Sequence, residues 1–220
     1  MKIAILLVPI LSFAIPVNLG IQKDALRKYV DSGEYDYDLW QSVRKAYSFL
    51  LHHDFDKKSA IIFDIDETLL SNYQDMKKYD FGGNQNTYLK IESNANGKAI
   101  VATAKIFNEA KAKGLTIFLL TGRHVSGKKY TSENLAKVGL TGYKQIIMWQ
   151  GDKPMTIKEF KSSARCDIKN LGYKIILNVG DQYSDLVGPC QAKINVKLPN
   201  PFYILYANHV KQVVAPSSGR

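Results

Sequence analysis

Cysteine is scarce in this 220-residue sequence, which contains only Cys166 and Cys190. Two cysteines are too few for a disulfide scaffold, and their spacing does not match that of a zinc site. They can form one bridge in an exported protein or remain as two partly buried free thiols, and the sequence leaves both alternatives open. A chain of this length can bury a sufficient hydrophobic core, so the fold depends on neither metal nor cross-links.

Repeats, low-complexity segments and arginine-rich runs are also missing from the sequence. Hydrophobic residues make up 45 % of the chain and charged residues 23 %, which argues against a disordered, collagen-like or coiled-coil protein. Because there is neither an arginine-rich run nor an aromatic RNA-binding motif, we expect no stable complex with nucleic acid. The 30 basic and 20 acidic residues leave a net charge of +10, which favours anionic ligands in general.

Apolar runs of membrane-spanning length are absent outside the N-terminal region. There, Lys2 precedes an apolar run over residues 3–14 that contains small residues near its end, a pattern typical of a secretory signal peptide. A membrane helix is the alternative, and Pro9 and Pro16 argue against it. We predict a signal peptide over residues 1–20, export to the periplasm or the extracellular space, and no membrane anchor after removal of the signal.

Short apolar runs alternate with helical patterns through the rest of the chain. A continuous apolar run is typical of a strand buried on both faces of a parallel sheet. Strands that alternate with helices imply right-handed βαβ units, so we predict an α/β fold with a doubly wound, Rossmann-like parallel sheet, preceded by two helices. The predicted strands are 60–63, 115–120, 145–149, 174–179 and 192–196, and the predicted helical segments are 22–53, 99–113, 131–138 and 156–171.

Residues 71–97 interrupt this alternation. The segment is rich in tyrosine, asparagine and glycine, and it is too long for an ordinary connection between a strand and a helix. We predict that it forms a small cap inserted into a single domain over residues 21–214, followed by a flexible tail at 215–220.

Acidic and hydroxyl residues are concentrated directly after three of the predicted strands. Asp64 and Asp66 come after the first, residues 121–123 (Thr-Gly-Arg) after the second, and Asp181 and Asp185 after the fourth. Ligands bind at the carboxyl ends of the strands in an open parallel sheet, so these three clusters are expected to converge on one site.

Asp64 and Asp66 are two residues apart, so in extended backbone their carboxylates face the same way. Two neighbouring carboxylates repel each other and raise one pKa unless a cation neutralises them. Mg²⁺ is a hard cation that prefers oxygen ligands, and Asp181 and Asp185 offer two further carboxylates. The sequence therefore predicts a Mg²⁺ site formed by these four aspartates.

The same residues carry a resemblance to a known superfamily. FDIDETLL at 63–70 resembles the first motif, D-x-D-x-T, of the haloacid dehalogenase-like phosphohydrolases. LLTGR at 119–123 resembles the second motif, and VGDQYSD at 179–185 resembles the fourth. The third motif requires a lysine ahead of the fourth strand, for which Lys161 is the best match and Lys158 the reserve. The four motifs follow the family's order over more than half of the chain.

A closer resemblance is to the exported acid phosphatases of this superfamily, which include the bacterial class B and class C enzymes and the plant vegetative-storage-type proteins. FDIDETLLSNY at 63–73 nearly repeats the first motif of that group, and LNVGDQYSDL at 177–186 resembles its fourth. The resemblance implies a haloacid dehalogenase-like fold and a Mg²⁺-dependent acid phosphatase that acts on small phosphomonoesters, with nucleotides as candidate substrates.

The resemblance also implies a role for each site residue. Asp64 is the nucleophile that forms an aspartyl-phosphate, and Asp66 is the general acid and then the general base. Lys161 and Mg²⁺ neutralise the phosphoryl oxygens, while Thr121 and the backbone N–H of Gly122 bind the phosphate. The alternatives are a non-catalytic phosphate-binding or storage-type protein on the same fold, a basic adhesion or nucleic-acid-binding protein, and a phosphotransferase.

Five side chains near these motifs have two interpretations each. Arg123 can clamp a phosphate or form a salt bridge with a neighbouring loop. His124 can serve the phosphate pocket or lie on a solvated loop. Tyr73, Tyr79 and Phe81 can stack on an aromatic or nucleoside leaving group or form the packed interior of the cap.

Overall fold

A computed structural model describes residues 18–151 and 155–205 of the chain. The helices in these residues are α1 (Leu19–Asp31), α2 (Glu34–His52), α3 (Tyr73–Lys78), α4 (Gln85–Asn94), α5 (Val101–Ala112), α6 (Lys128–Lys137), α7 (Ile157–Asn170) and α8 (Tyr183–Leu186). The strands are β1 (Ser59–Phe63), β2 (Leu70–Ser71), β3 (Lys98–Ala99), β4 (Thr116–His124), β5 (Gln145–Trp149), β6 (Lys174–Gly180) and β7 (Ile194–Lys197).

Five strands form one parallel sheet in the order β5-β4-β1-β6-β7. The first strand in the sequence is thus the central strand of the sheet, and every one of the five predicted strands is present. Helices pack on both faces, which confirms the predicted doubly wound parallel α/β architecture. The carboxyl ends of all five strands lie at the same edge, which is where this architecture places its ligands.

Strand β1 is buried because its side chains alternate between two hydrophobic clusters. Ile61 and Phe63 join the larger cluster, to which α2 and α5 contribute. Ala60 and Ile62 join the smaller cluster, to which α7 contributes. Full burial of an isoleucine or phenylalanine contributes about 1.5–3 kcal/mol, so an apolar residue is favoured at each position of this strand. This two-sided burial explains the continuous apolar run in the sequence.

The helices that flank the sheet lie close to their predicted positions. The predicted segment 22–53 is two helices, α1 and α2, which meet at Gly33 in the left-handed conformation. Helices α5 and α7 lie within the predicted segments 99–113 and 156–171. Gly114 and Gly172 follow these two helices with φ of +71° and +85°, a region that suits glycine and that ends each helix.

The segment between β2 and β3 carries the two short helices α3 and α4. Its two ends are held together because β2 and β3 pair antiparallel, with Leu70 opposite Ala99. Asn134 of α6 secures the same point through two hydrogen bonds with the backbone of Gly97: it accepts from the N–H at 2.8 Å and donates to the carbonyl at 2.7 Å. The inserted segment is thereby fixed beside the carboxyl end of the sheet.

Cys166 of α7 and Cys190, which follows α8, form a disulfide with their Cα atoms 5.1 Å apart. Of the two alternatives that the sequence left open, the bridge is the one present. It ties the middle of α7 to the loop that leaves α8.

The predicted signal peptide, residues 1–20, and the predicted tail, residues 215–220, lie outside the described residues except for positions 18–20, where Asn18 caps the start of α1. Among the described helices, none combines the length and the apolar composition that a bilayer crossing requires.

Candidate active site

Three carboxylates meet at the carboxyl edge of the sheet. Asp64 follows β1, and its backbone N–H donates to the carbonyl of Val179 at 3.0 Å, which extends the pairing of β1 and β6 by one residue. Asp181 follows β6, and Asp185 lies on α8. All three are buried, and each offers an oxygen within 4.8 Å of the others. The structure therefore brings together three of the four aspartates that the sequence assigned to a metal.

The ammonium group of Lys161 lies between two of these carboxylates. It donates to Oδ1 of Asp64 at 2.6 Å and to Oδ1 of Asp185 at 2.5 Å. Lys161 projects from the second turn of α7, whose start is fixed by a capping box between Thr156 and Glu159. Lys161, and not the reserve candidate Lys158, is the lysine placed in the site.

Burial dominates the electrostatics of this cluster. Burial raises the pKa of Asp64 well above its ordinary value, while Lys161 opposes the shift and Asp185 and Asp181 increase it. Burial would lower the pKa of Lys161, but Asp185 and Asp64 hold that pKa above its ordinary value. Burial, followed by the charge of Asp185, also raises the pKa of Asp181.

A divalent metal ion fits this donor set. When ionised, the three carboxylates carry three negative charges, and Lys161 compensates only one of them. Buried charges without a counter-charge are costly, so the cluster favours an additional cation. The available donors are carboxylate oxygens, which suit a hard divalent ion better than a soft one.

Asp66 lies outside the three-carboxylate cluster. Its carboxylate accepts hydrogen bonds from two nitrogens of Arg123 and one from the Asn72 amide, the latter at 2.7 Å. Burial would raise the pKa of Asp66, but the charge and hydrogen bonds of Arg123 lower it below its ordinary value. The carboxylates of Asp64 and Asp66 thus have separate positive partners, whereas the sequence pattern assigned both to one cation.

The backbone explains this separation. The expectation that positions 64 and 66 face the same way holds only for an extended chain. After β1 the chain turns sharply instead, and the N–H groups of Leu69 and Leu70 both donate to the carbonyl of Ile65 at 2.9 Å. Glu67 lies in this turn with a φ of +50°. The turn directs Asp66 away from Asp64 and toward Arg123.

The predicted phosphate-binding pair lies within the last residues of β4, which extends to His124. Thr121 is fully buried, and its hydroxyl oxygen accepts the N–H of Arg123 at 3.1 Å. Gly122 lines the cavity described next, and Thr121 is not among the lining residues. The pairing of β4 with β5 shifts between Thr121 and His124, so the strand is irregular where the predicted residues lie.

A cavity of about 390 Å³ opens over these groups. Asp64, Asp66, Lys161, Asp181 and Asp185 all line it. One wall is formed by α3 and α4 of the inserted segment, and another by residues that follow β7. The side chains that these two walls contribute are Met76, Tyr88, Ile91, Glu92, Tyr203, Ile204 and Leu205.

The aromatic residues singled out in the sequence do not form this wall. Tyr73 and Phe81 pack against each other and against Phe202, so for them the packing interpretation holds. Tyr79 is 41 % exposed. Sequence reasoning missed Tyr88, Ile91 and Glu92, although their i, i+3 and i+4 spacing places them on one face of α4.

His124 is the last residue of β4 and is partly buried, so it does not lie on a solvated loop, and it is not among the residues that line the cavity. Its ring nitrogens contact the hydroxyl of Ser126 and the carbonyl of Gln150, both at 2.8 Å. Arg123 is paired with Asp66.

Residues 199–205, here called the C-terminal strap, also reach the site. Asn200 donates to Oδ2 of Asp181 at 2.7 Å, and the Tyr203 hydroxyl donates to Oε2 of Glu67 at 2.7 Å. Sequence reasoning assigned no role to this segment. Its Pro-Asn-Pro sequence indicates a turn, but no local pattern reveals that the turn ends against Asp181.

Comparisons with known proteins give matches to acid phosphatases and their relatives. A model of the haloacid dehalogenase superfamily, subfamily IIIB (acid phosphatase), matches residues 16–205. Acid phosphatase 1 of Solanum lycopersicum is 33 % identical over 154 residues, which are 68 % of this chain and 60 % of that protein. Stem 28 kDa glycoprotein of Glycine max is 30 % identical over 188 residues, which are 83 % of this chain and 74 % of that protein.

Vegetative storage protein 1 of Arabidopsis thaliana is 30 % identical over 181 residues, 79 % of this chain and 66 % of that protein. The class C acid phosphatase from Bacillus anthracis superposes with a TM-score of 0.68 at 21 % identity, over 84 % of this chain and 86 % of that one. These matches confirm the predicted superfamily, its fold and the predicted enzyme class. The chain belongs to the acid phosphatases of the haloacid dehalogenase superfamily, subfamily IIIB, a family of phosphomonoester hydrolases.

Proposed function

We propose that this protein is an exported, Mg²⁺-dependent acid phosphatase that hydrolyses small phosphomonoesters, nucleotides among them, through an aspartyl-phosphate on Asp64. The observation that carries the proposal is the position of the Asp64 carboxylate, which lines the cavity and is hydrogen-bonded to Lys161 beside Asp181 and Asp185. A nucleophile, a fixed positive charge and a set of hard metal ligands are the parts that phosphoryl transfer needs.

Two displacement steps account for the reaction. In the first, an oxygen of Asp64 forms a bond to phosphorus, the ester P–O bond breaks, and the departing alcohol oxygen takes a proton from Asp66. In the second, a water gives a proton to the Asp66 carboxylate and bonds to phosphorus, and the bond between phosphorus and Asp64 breaks. The products are the alcohol and inorganic phosphate, and both aspartates return to their initial state.

The surroundings of Asp66 support a role as acid and base. The base step uses the ionised form, which the ion pair with Arg123 favours. The acid step needs a proton on the same carboxylate, and because Arg123 opposes its uptake, an acidic medium is required. This requirement fits the acidic working range of an acid phosphatase.

Lys161 and Gly122 are placed to bind the phosphate, since both line the cavity next to Asp64. The ammonium of Lys161 supplies a permanent positive charge, and the backbone N–H of Gly122 is a candidate donor to a phosphoryl oxygen. Thr121 supports the irregular end of β4 that carries Gly122, because its hydroxyl oxygen accepts the Arg123 N–H. When bound at Asp64, Asp181 and Asp185, Mg²⁺ would neutralise charge on the phosphoryl oxygens.

The size and lining of the cavity support a substrate with a small leaving group. Its volume of about 390 Å³ lies near the lower end of the range for small-molecule sites. Met76, Tyr88 and Ile91 give one wall an apolar and aromatic surface. A nucleoside or another flat, partly apolar alcohol would bury its ring against this wall.

Export is supported by two features of the chain. The disulfide between Cys166 and Cys190 is a kind of bond that persists in oxidising compartments such as the periplasm and the extracellular space. The apolar run over residues 3–14 after Lys2 is typical of a secretory signal.

A storage-type protein is the second candidate, because relatives of this chain include proteins named vegetative storage proteins. Such a protein would bind phosphate in the same cavity without turnover. The presence of Asp64, Asp66 and Lys161 in one cavity favours catalysis.

The test is an assay of the purified full chain with p-nitrophenyl phosphate, in Mg²⁺ and in EDTA. We expect turnover that EDTA removes and that Asp64→Asn abolishes. The matched control is Asp167→Asn on the exposed side of α7, which should retain wild-type turnover. Phosphate binding by calorimetry shows whether the Asp64 variant keeps a folded site. Equal turnover in the wild type and in Asp64→Asn contradicts the proposal, and phosphate binding without turnover in the wild type supports the storage function.

A further inference from the structure

Asp181 is held from one side by two amide groups. Asn200 Nδ2 lies 2.7 Å from Oδ2 of Asp181, and Gln182 Nε2 lies 2.6 Å from the same oxygen. The other oxygen, Oδ1, accepts a longer hydrogen bond of 3.2 Å from the Thr68 hydroxyl. The carboxylate therefore has one oxygen engaged by the protein and a second that is less strongly bound.

The orientation of the Asn200 amide is determined by its neighbours. Its Oδ1 accepts the N–H of Phe202 at 2.8 Å and that of Tyr203 at 3.3 Å, so the amide nitrogen is the atom that faces Asp181. The Asn200 side chain therefore makes two kinds of contact. Its oxygen stabilises the turn of the C-terminal strap, and its nitrogen donates to the Asp181 carboxylate.

The C-terminal strap is anchored away from this turn as well. The carbonyl of Pro199 accepts the Tyr35 hydroxyl at 3.2 Å, and the N–H of Leu205 donates to Oε1 of Gln182 at 3.0 Å. Phe202 packs edge-on against Tyr35. Both ends of the strap are thus attached to the domain, which allows it to hold Asn200 in one place.

A second set of contacts runs from the strap to Asp66. The Tyr203 hydroxyl donates to Glu67, whose other oxygen accepts the backbone N–H of Asn72 at 2.8 Å. Asn72 in turn donates from its side chain to Oδ1 of Asp66 at 2.7 Å. Tyr203 therefore acts on the proposed general acid only through two intermediate residues.

We propose that the C-terminal strap is a positioning element for both halves of the site: Asn200 orients the Asp181 carboxylate for the divalent ion, and Tyr203 orients Asp66 through Glu67 and Asn72. The inference rests on the proposed function, because it assumes that Asp181 ligates a metal. Partners that hold a metal ligand in place typically change affinity or activity by about 10- to 100-fold when they are removed. A ligand that is oriented before the ion arrives loses less conformational freedom on binding.

The first test is calorimetric titration of Mg²⁺ into the full chain. Asn200→Ser removes the donor to Asp181, while the serine hydroxyl can still accept the N–H of Phe202 and maintain the turn. We expect the Kd for Mg²⁺ to rise by about tenfold or more. The matched control is Asn195→Ser on the exposed side of β7, which should bind Mg²⁺ as the wild type does. Melting in EDTA shows whether both variants are folded.

The second test is Tyr203→Phe, which removes only the hydroxyl that binds Glu67. We expect kcat to fall about tenfold at unchanged Kd for Mg²⁺, because the metal side of the strap is intact. The control is Tyr37→Phe on α2, an exposed tyrosine, which should leave kcat unchanged.

The outcomes separate the two levels of the proposal. If the wild type binds no Mg²⁺ under conditions in which it is folded, the cofactor of the proposed function is wrong and this inference falls with it. If the wild type binds Mg²⁺ and Asn200→Ser binds it equally well, the positioning role of Asn200 is overturned while the proposed function stands. A Tyr203→Phe variant with wild-type kcat overturns the role of Tyr203 in the same way.

Discussion

Arg123 forms a bidentate ion pair with Asp66, in which Nη2 lies 2.6 Å from Oδ1 and Nε lies 2.9 Å from Oδ2. The third nitrogen, Nη1, donates to the hydroxyl of Thr131 at 3.2 Å. The Arg123 side chain is only 1 % exposed. All three nitrogens are therefore engaged within the protein, so Arg123 supports the proposed general acid and base and is not a free clamp for phosphate.

Replacing Arg123 by lysine should therefore impair chemistry more than binding. Lysine keeps the charge but cannot form the two-point contact, so Asp66 loses its fixed orientation. We expect Arg123→Lys to lower kcat by roughly 10- to 100-fold and to leave the inhibition constant of inorganic phosphate within about twofold of the wild-type value. Steady-state kinetics with phosphate as product inhibitor measures both quantities.

The exposed Arg44 on α2 provides the control, and Arg44→Lys should have no effect on either constant. A rise in the phosphate inhibition constant that parallels the loss of kcat would show that Arg123 clamps phosphate after all.

Lys161 should contribute strongly to stability as well as to catalysis. Lys161→Met leaves the buried carboxylates of Asp64 and Asp185 without their positive partner. Breaking a buried pair in this way costs about 3–5 kcal/mol. We expect the free energy of unfolding in EDTA to fall by about that amount, and Mg²⁺ to restore part of it because the cation supplies the missing charge. Denaturant titration in EDTA and in Mg²⁺ measures the difference.

The comparison variant is Lys174→Met, which removes an ion pair with Asp56 in which the lysine side chain is 68 % exposed. Exposed pairs contribute about 0–1 kcal/mol, so this variant should unfold almost like the wild type. Similar losses in the two variants would be evidence against a specific role for the buried lysine.

Glu92 should make substrate binding depend on pH. Burial, and then the charge of Asp66, raise the pKa of Glu92 to about 7. Below that pH the side chain is neutral, and as the pH rises through it the carboxylate ionises within the cavity and repels a phosphate dianion. We expect Glu92→Gln to have the wild-type KM at pH 5 and a KM about threefold to tenfold lower than wild type at pH 8.

The exposed Glu133 on α6 is the control, because Glu133→Gln removes the same charge outside the cavity. The two KM values are read from p-nitrophenyl phosphate kinetics at the two pH values. If the KM of Glu92→Gln equals that of the wild type at both pH 5 and pH 8, the Glu92 carboxylate does not act on the substrate.

The disulfide should stabilise the loop that follows α8. Cys166 and Cys190 are 24 positions apart, and closing a loop of that size contributes about 3 kcal/mol. We expect the double variant Cys166→Ser, Cys190→Ser to lose about that much unfolding free energy, and reduction of the wild type to have the same effect. Denaturant titration with and without a reductant tests both, and unchanged midpoints would contradict the prediction.

The sheet and the ends of its strands were predictable because parallel strands are buried on both faces. That burial requires continuous apolar runs such as 60–63, and each run ends where a polar ligand-binding residue can begin. Asp64 and Asp181 follow their strands directly, so their meeting is a consequence of topology. Lys161 is the best match to the third motif of the family that the sequence resembles, and the structure places it on the cavity.

The partners of Asp66 were not predictable from local pattern. The turn at Glu67 depends on hydrogen bonds from Leu69 and Leu70 to Ile65, and no spacing rule reports a left-handed φ at a glutamate. The role of the C-terminal strap was not predictable for a related reason. Its contact with Asp181 is made by a side chain and joins residues 19 positions apart. Two-residue strands such as β2 are likewise too short to leave a periodic signal.

The site is completed late in synthesis, because β1 is central in the sheet while its neighbours and the partners of Asp64 come much later in the chain. A ribosome produces β1 early, before either of the strands that will flank it, β4 and β6, exists. Asp64 can form its contacts only after Lys161 and Asp185 have been made, and Asp181 can form its hydrogen bond only after Asn200 has been made. A nascent chain is therefore without a working centre until nearly all of the described residues have been made, and hydrolytic activity reports that the whole domain has folded.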